Sequence, residues 1–427
     1  MEDDEAASQA SPSVTPRAPL GPGFRRLWVS AGVSNLADGI LKIVLPLAAV
    51  QLTRSPALVG GLTFALTLPW LLFALPAGAL ADRLDRRRAM LGANLCRASV
   101  LGALAVTVGL DGGSIWVLYV VALAVGIAET VYDTSAQSIL PQLVGLDQLS
   151  RANGRLYAAE LTANEFIGPP LGGALMAGGL ALAFVTPAGL WIAAVAALLL
   201  VRGRFRFPRQ QRTTMRADIA EGLRFLWQHR VLRAMAVMTG GFNFASNAAF
   251  AILVLYAVGP ESAMGLAEPA YGLLLAAVAA GGLAGSFFAE WVERRLGRAR
   301  ALALSLLAAS LLVGAPGVSD QPIVISVAFF VGGAAMVIAN VIMVSLRQRV
   351  TPGRLLGRVN SGYRLFAWGS RPLGAGVGGL LGELLGLRPV FLLMAALTLT
   401  LLAGLKVVTN HAMDAAEAAA EGAGDEA

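Results

Sequence analysis

Twelve apolar stretches run through this chain, near residues 26–52, 56–81, 88–110, 114–140, 153–178, 180–201, 232–258, 270–291, 299–318, 321–346, 356–383 and 386–409. Most are long enough to cross a hydrocarbon core, which takes about 20 helical residues. Inside lipid a segment must satisfy its own backbone hydrogen bonds, so only helices or a closed barrel can span it. These stretches are continuous runs of Leu, Ala, Val and Gly with no alternation of period two, which selects helices. Composition agrees: 56% of residues are hydrophobic and 14% charged, against about a quarter charged in a soluble domain. The expected fold class is an all-α polytopic membrane protein with 12 transmembrane helices.

The connections orient these spans. Every second connection is rich in arginine. The second carries Arg83, Arg86, Arg87 and Arg88, the fourth Arg151 and Arg155, the eighth Arg294, Arg295, Arg298 and Arg300, and the tenth Arg347, Arg349, Arg354 and Arg358. The connections between them are nearly free of basic residues. Positive charge marks the cytoplasmic side, so both termini are expected in the cytoplasm and the protein in the cell membrane. The sixth connection is long and basic. Its second part sets Ile219, Leu223, Leu226 and Trp227 on one helical face, the pattern of a short amphipathic helix on the inner membrane surface. The expected divisions are a disordered tail over 1–24, a six-helix bundle over 25–202, a linker with an amphipathic helix over 203–230, a second bundle over 231–409, and an acidic disordered tail over 410–427.

The formal charge of +7 belongs to these inner loops rather than to a nucleic-acid surface. One cysteine and two histidines leave no disulfide and no His/Cys metal cluster. No nucleotide-binding Gly-rich loop and no nucleophile–base set is present, so neither an enzyme nor an ATP-driven pump is expected, and no cofactor is implied.

The two halves resemble each other at an offset of 206 to 208 residues. "VSNLAD" (33–38) falls on "GFNFAS" (241–246), and "ADRLDRR" (81–87) on "AEWVERR" (289–295). Gly168, Gly172 and Gly173 fall on Gly374, Gly378 and Gly379. Two six-helix halves in one orientation are parallel repeats. The loop "GALADRLDRRR" resembles the signature between the second and third spans of the major facilitator superfamily, with Gly78, Asp82, Arg83, Arg86 and Arg87 matching and Asp85 in place of a second glycine. "GPPLGG" resembles that superfamily's antiporter motif, matched by Gly168, Pro169, Gly172 and Gly173, with Asn164 at its first glycine position. The blocks around 140–157 and 355–374 look like the branch of macrolide-efflux and siderophore-exporter proteins. The resemblance implies a central cavity lined by spans 1, 4, 7 and 10. It also implies a latch in which Asp82 meets the positive N-terminal end of span 11, near Gly357 and Arg358.

Ionisable groups inside a span cost about 2.5–3.5 kcal/mol each and need a partner or a wet cavity. Asp38 and Lys42 stand one turn apart on span 1, either neutralising each other or serving as a proton or cation site with its tuning group, with Asn35 further in. Glu129 and Asp133 in "AETVYDTSAQS" share a face of span 4, where two like charges repel and a proton can be held between them. Each can instead pair with an arginine, Arg97 or one of the signature loop. On span 5, Glu160 and Asn164 share a face on α-helical spacing, and Glu165 turns away by about 100°. Glu160 is a candidate partner for Arg97. Asn243, Asn247 and Asn340 make spans 7 and 10 polar without charge, and span 11 carries Arg364 and Arg371, the latter a candidate partner for Glu383 or a span 5 carboxylate. The glycine–proline motif is expected to bend and pack its helix.

The expected function is a secondary active exporter of small amphipathic compounds such as drugs, antibiotics or siderophore-like metabolites. It would be driven by proton antiport, work by alternating access and function as a monomer. An importer or lipid-moving uniporter or symporter is the alternative, and a transporter-like receptor a more distant one.

Overall fold

The computed structural model describes residues 20–83, 85–110, 112–145, 148–203, 205, 215–352 and 355–425, without the side chains of 74–83, 150, 215–219 and 421–425. The acidic N-terminal stretch and most of the arginine-rich part of the linker lie outside these residues, as do the side chains of Gly78, Asp82 and Arg83.

Each apolar stretch is a helix. The first half contains α1 (Gly21–Leu52), α2 (Pro56–Arg83), α3 (Arg86–Gly109), α4 (Ile115–Ile139), α5 (Leu149–Glu160), α6 (Gly168–Ala177) and α7 (Leu180–Leu199). After α8 (Met215–Gln228), the second half contains α9 (Arg230–Ala257), α10 (Glu268–Leu296), α11 (Arg298–Val318), α12 (Pro322–Val350), α13 (Leu356–Leu385) and α14 (Leu387–Thr400), followed by α15 (Asn410–Asp425). Among the described residues, ten helices are long and apolar enough to cross a membrane. The other two crossings are the ones whose sequence mixes charge, proline and glycine. The eleventh is α13. The fifth is α5 and α6 joined by a π-helical turn, Leu161–Ile167.

The helix neighbours repeat. In the first half α1 packs on α6 and α7, α2 on α4, and α3 on α4 and α7. In the second, α9 packs on α13 and α14, α10 on α12, and α11 on α12 and α14. The halves meet through α2 against α13 and α6 against α10, again a repeat-related pair. The major-facilitator arrangement of two six-helix repeats is therefore present.

The related glycines make these contacts. A Cβ on Gly168 would lie 2.6 Å from the Gly39 Cα, and one on Gly172 2.9 Å from the Ile40 carbonyl, so both let α6 reach the α1 backbone. Gly173 faces the backbone of Glu268 and Pro269 in the other half. Gly374 and Gly378 face Phe244 and Ala248 of α9, and Gly379 faces Pro56 and Gly60 of α2. Each trio thus uses two glycines inside its own half and one across the interface.

Apolar packing divides along the length of the bundle. At the end away from the arginine-rich connections, one continuous core joins both halves, from Val44 and Leu62 to Ile252, Leu312 and Phe329. At the basic end there are, among the described residues, two separate cores. One is built around Leu27, Met90, Tyr132 and Leu198, the other around Leu232, Met235, Leu346 and Val359. The halves are fused at one end and forked at the other.

The linker helix α8 lies against α9 and α13. Leu226 is buried in the second basic-end core, the Gly222 backbone sits on Arg358, and Glu221 pairs with the Arg358 guanidinium. The stretch expected as an acidic disordered tail over 410–427 instead forms α15. Its acids find arginines distant in sequence: Asp414 and Glu417 pair with Arg298, and Arg349 lies 3.6 Å from Glu417. Met413 is buried, and the Asn410 side chain accepts the Ala299 N–H at 2.9 Å.

Candidate transport site

The intramembrane charges gather where the single core splits into two. Arg97 of α3 is wholly buried and donates through Nη1 to Asp38 Oδ1 of α1 at 2.6 Å. The rings of Tyr132 and Trp191 lie 4.8 and 5.3 Å from its guanidinium carbon. Among the described residues its Nε and Nη2 have no hydrogen-bond acceptor, so attraction to the ring faces takes the place of further hydrogen bonds. Glu129 and Asp133 of α4 are close enough for their charges to act on the same guanidinium. Ser34 donates to Asn94 at 3.3 Å beside this cluster.

Lys42 does not neutralise Asp38, although they share a face of α1. Its Nζ donates to both oxygens of Glu165, at 2.6 and 2.8 Å. Glu165, expected to turn away, is brought inward by the π turn, because hydrogen bonds to the fifth residue back widen the helix and break α-helical spacing. The turn is wedged against Gly39, where a Cβ would stand 2.5 Å from the Asn164 carbonyl oxygen. Asn164 thus contributes backbone at the position where the antiporter motif has glycine, and Gly39 supplies the room. Glu160 is exposed and does not pair with Arg97, which Asp38 already occupies.

The other wall of the fork is α13. Arg364, Trp368 and Arg371 follow at i, i+4 and i+7, one face of a helix. Their guanidinium carbons lie 4.4 Å (Arg364) and 5.1 Å (Arg371) from the Trp368 ring centroid. Trp70 of α2 meets Trp368 edge-on at 4.8 Å and 76°. Arg364 donates to Gln137 of α4 at 3.1 Å. Arg371 does not reach Glu383, which accepts instead from Ser55 Oγ at 2.6 Å and the Ala57 N–H at 3.3 Å, a bond across the fused end.

The amides are mostly engaged with backbone. Asn35 donates to Ala31, Asn247 to Asn243, and Asn243 to Ala367 of α13 at 2.7 Å. Asn340 is exposed on α12. In the signature loop, Asp85 caps α3, accepting from the N–H groups of Arg88 at 3.1 Å and Phe205 at 3.0 Å. Its φ of −68° is ordinary for an L residue, so aspartate serves where the family has glycine. Arg86 donates to the Ser138 carbonyl and Arg87 to those of Leu198 and Leu199, contacts inside the first half. The residues expected to latch onto α13, Gly78, Asp82 and Arg83, have no described side chains. Gly39, Trp191 and Gln137 were not foreseen. For Gly39 the one signal is its place beside Asp38 on the polar face of α1, and Trp191 gives none.

A family model described as transmembrane secretion effector matches residues 14–425. The multidrug efflux pump Tap of Mycobacterium tuberculosis is 29% identical over 391 residues, covering 88% of this chain and 90% of the pump. The enterobactin exporter EntS of Salmonella typhimurium is 28% identical over 347 residues, covering 79% and 80%. Among solved structures, the nucleoside transporter NupG superposes with a TM-score of 0.73 at 14% identity over 91% of this chain and 99% of that one. A bacterial homologue of the iron transporter ferroportin, in an inward-facing state, does so with a TM-score of 0.67 at 18% identity over 90% and 97%. At these identities the solved structures bear on the fold alone.

Proposed function

The chain belongs to the transmembrane secretion effector family of major facilitator transporters, and from that premise we propose that it is a proton-coupled exporter of small amphipathic compounds. The observation that carries the coupling is the Arg97–Asp38 pair: one wholly buried guanidinium holds Asp38 at 2.6 Å, and the charges of Glu129 and Asp133 on α4 act on it from farther away. A proton arriving on Asp38 removes its claim on Arg97 and leaves the guanidinium to the α4 carboxylates. Because α1, α3 and α4 carry these groups, proton occupancy changes how three helices of the first half hold together. That is the link alternating access needs between a proton and a rocking bundle.

The export direction rests on the relatives, one a drug efflux pump and one a siderophore exporter. The arginine-rich connections support a forked end and termini on the cytoplasmic side, where the fork would open toward its load. The fork lies between the halves of one chain, which is consistent with a working monomer. The test is compound accumulation in cells expressing the chain, with and without a protonophore. Lower accumulation that the protonophore abolishes supports the reading. Accumulation equal to that of empty-vector cells across a broad panel removes export, and export insensitive to the protonophore removes the coupling.

A further inference from the structure

The fork sorts its charges by wall. The first-half cations each have a carboxylate: Arg97 holds Asp38 and Lys42 holds Glu165. Among the described residues neither α13 arginine has a carboxylate within ion-pair distance, and the acids that act on them do so from farther off, Asp133 and Glu160 on Arg364, Glu165 and Glu129 on Arg371. Arg364 reaches only the neutral Gln137, and Arg371 has no hydrogen bond or ion pair among the described residues. Both guanidinium groups instead lie against one indole, Trp368, and all three side chains are half-buried rather than sealed. An arginine inside a span costs about 2.5–3.5 kcal/mol to insert. Two on one helical face repel each other as well. Packing alone would be served better by leucine at either position, and the compensating acids stay beyond hydrogen-bond reach, which leaves both guanidinium groups able to donate to an acceptor brought from outside the chain.

We propose that Arg364, Trp368 and Arg371 form an anion-selective aromatic subsite, and that compounds carried by this protein present a carboxylate, sulfonate or similar oxyanion on a flat ring. The proposal rests on the exporter reading and names the substrate class for it. A guanidinium donates two parallel N–H bonds to an oxyanion, which an ammonium cannot match. The indole face and the Trp70 edge across from it offer a flat ring its stacking surfaces. On the opposite wall Glu129, Asp133 and Glu160 repel an oxyanion, so the ligand's charged group is turned toward α13 and its apolar or cationic part toward α4.

The probes are 1-anilinonaphthalene-8-sulfonate and N-phenyl-1-naphthylamine, which share their rings and differ by the sulfonate. Each is titrated onto the purified full chain in nanodiscs, with empty nanodiscs subtracted. Replacing both arginines (R364Q with R371Q) is expected to weaken sulfonate binding at least about tenfold, the loss of one charge-assisted hydrogen bond. Binding of the neutral amine stays as in the wild type, which also reports that the variant is folded. R371K keeps the charge without the fork and is expected to fall between the two. Unchanged sulfonate binding in the glutamine variant, or equal losses for both probes, overturns the proposal. Either failure leaves the exporter reading standing, since that depends on protonophore-sensitive efflux.

Discussion

Arg97 is the charge with the least freedom in this protein: wholly buried, stacked between two rings, and bonded to one carboxylate. Removing one partner of a buried pair leaves the other uncompensated, at about 3–5 kcal/mol. The two partners are not equivalent here. Without Arg97, the α1 and α4 carboxylates lose the cation whose charge they share. Without Asp38, the charges of Glu129 and Asp133 still act on the guanidinium. Arg97→Gln is therefore expected to lower stability by about 3–5 kcal/mol, seen as a lower melting temperature in detergent. Asp38→Asn is expected to melt closer to the wild type while losing pH-driven counterflow. Equal destabilisation by the two, or full counterflow in the asparagine variant, would remove the partner exchange. A second residue tests pH outside the bilayer. His229 caps α9 by accepting the Leu232 N–H on Nδ1, and burial holds its pKa below the ordinary histidine value. Its neutral form is the one the fold uses, so its contribution is complete above the unfolded pKa and is lost as pH falls through the lower folded one. Amide protection at the α8–α9 corner should drop on that acid side, and His229→Asn, a cap that does not titrate, should abolish the dependence. A corner that loosens equally in both proteins excludes His229 as the cause.

At the scale of elements, the sequence carries the packing glycines of α6 and α13 openly, because Gly168, Gly172 and Gly173 recur at Gly374, Gly378 and Gly379. It does not show their consequence. Gly39 matters because the π turn places the Asn164 backbone against it, and no spacing in one sequence marks where an α-helix widens. The same turn carries Glu165, which pairs with Lys42 of α1. Gly39→Ala puts a Cβ 2.5 Å from the Asn164 oxygen and 2.8 Å from its Cα, backbone that cannot swing aside. It is expected to part α1 from the π turn, loosen the Lys42–Glu165 pair and cut efflux strongly. Gly102→Ala, where nothing lies within 4 Å, should leave efflux intact and gain about 0.5–1 kcal/mol of helix stability. Indistinguishable efflux in the two variants would show that the close approach is not needed. The helix α15 was illegible for a different reason. Its alanines and scattered acids satisfy a disorder composition, and what orders it is Arg298 and Arg349 from connections far away in sequence. Arg298→Gln is expected to free α15, read as faster proteolysis beyond residue 410. Unchanged proteolysis would mean that Met413 and its apolar neighbours hold the helix unaided.

For the whole molecule, two packing regimes coexist along one axis. The fused end joins both halves through one core, the Gly60–Gly379 approach, the Glu383 bonds to Ser55 and Ala57, and the Arg54 donation to Val258 at 3.2 Å. The forked end keeps a separate core for each half. Twelve spans and the repeat were legible because lipid allows few solutions. Which end is closed was not, since the same apolar residues line both ends. Alternating access requires the fused end to part once per cycle, and the contacts found there are many but individually weak. A covalent bond across them should therefore stop turnover without disturbing the fork. Ser55 and Glu383 already meet across the fused end, hydroxyl to carboxylate at 2.6 Å, so cysteines at these two positions lie within reach of a short bis-methanethiosulfonate cross-linker that reduction cleaves. With the exposed Cys96 replaced by serine, the Ser55→Cys/Glu383→Cys protein is expected to export when reduced and to stop when cross-linked. The anilinonaphthalene sulfonate should still bind the cross-linked form from the basic end. Continued export after complete cross-linking would show that the load leaves by a route that does not pass between α2 and α13, and the two-state reading of the fork would fail with it.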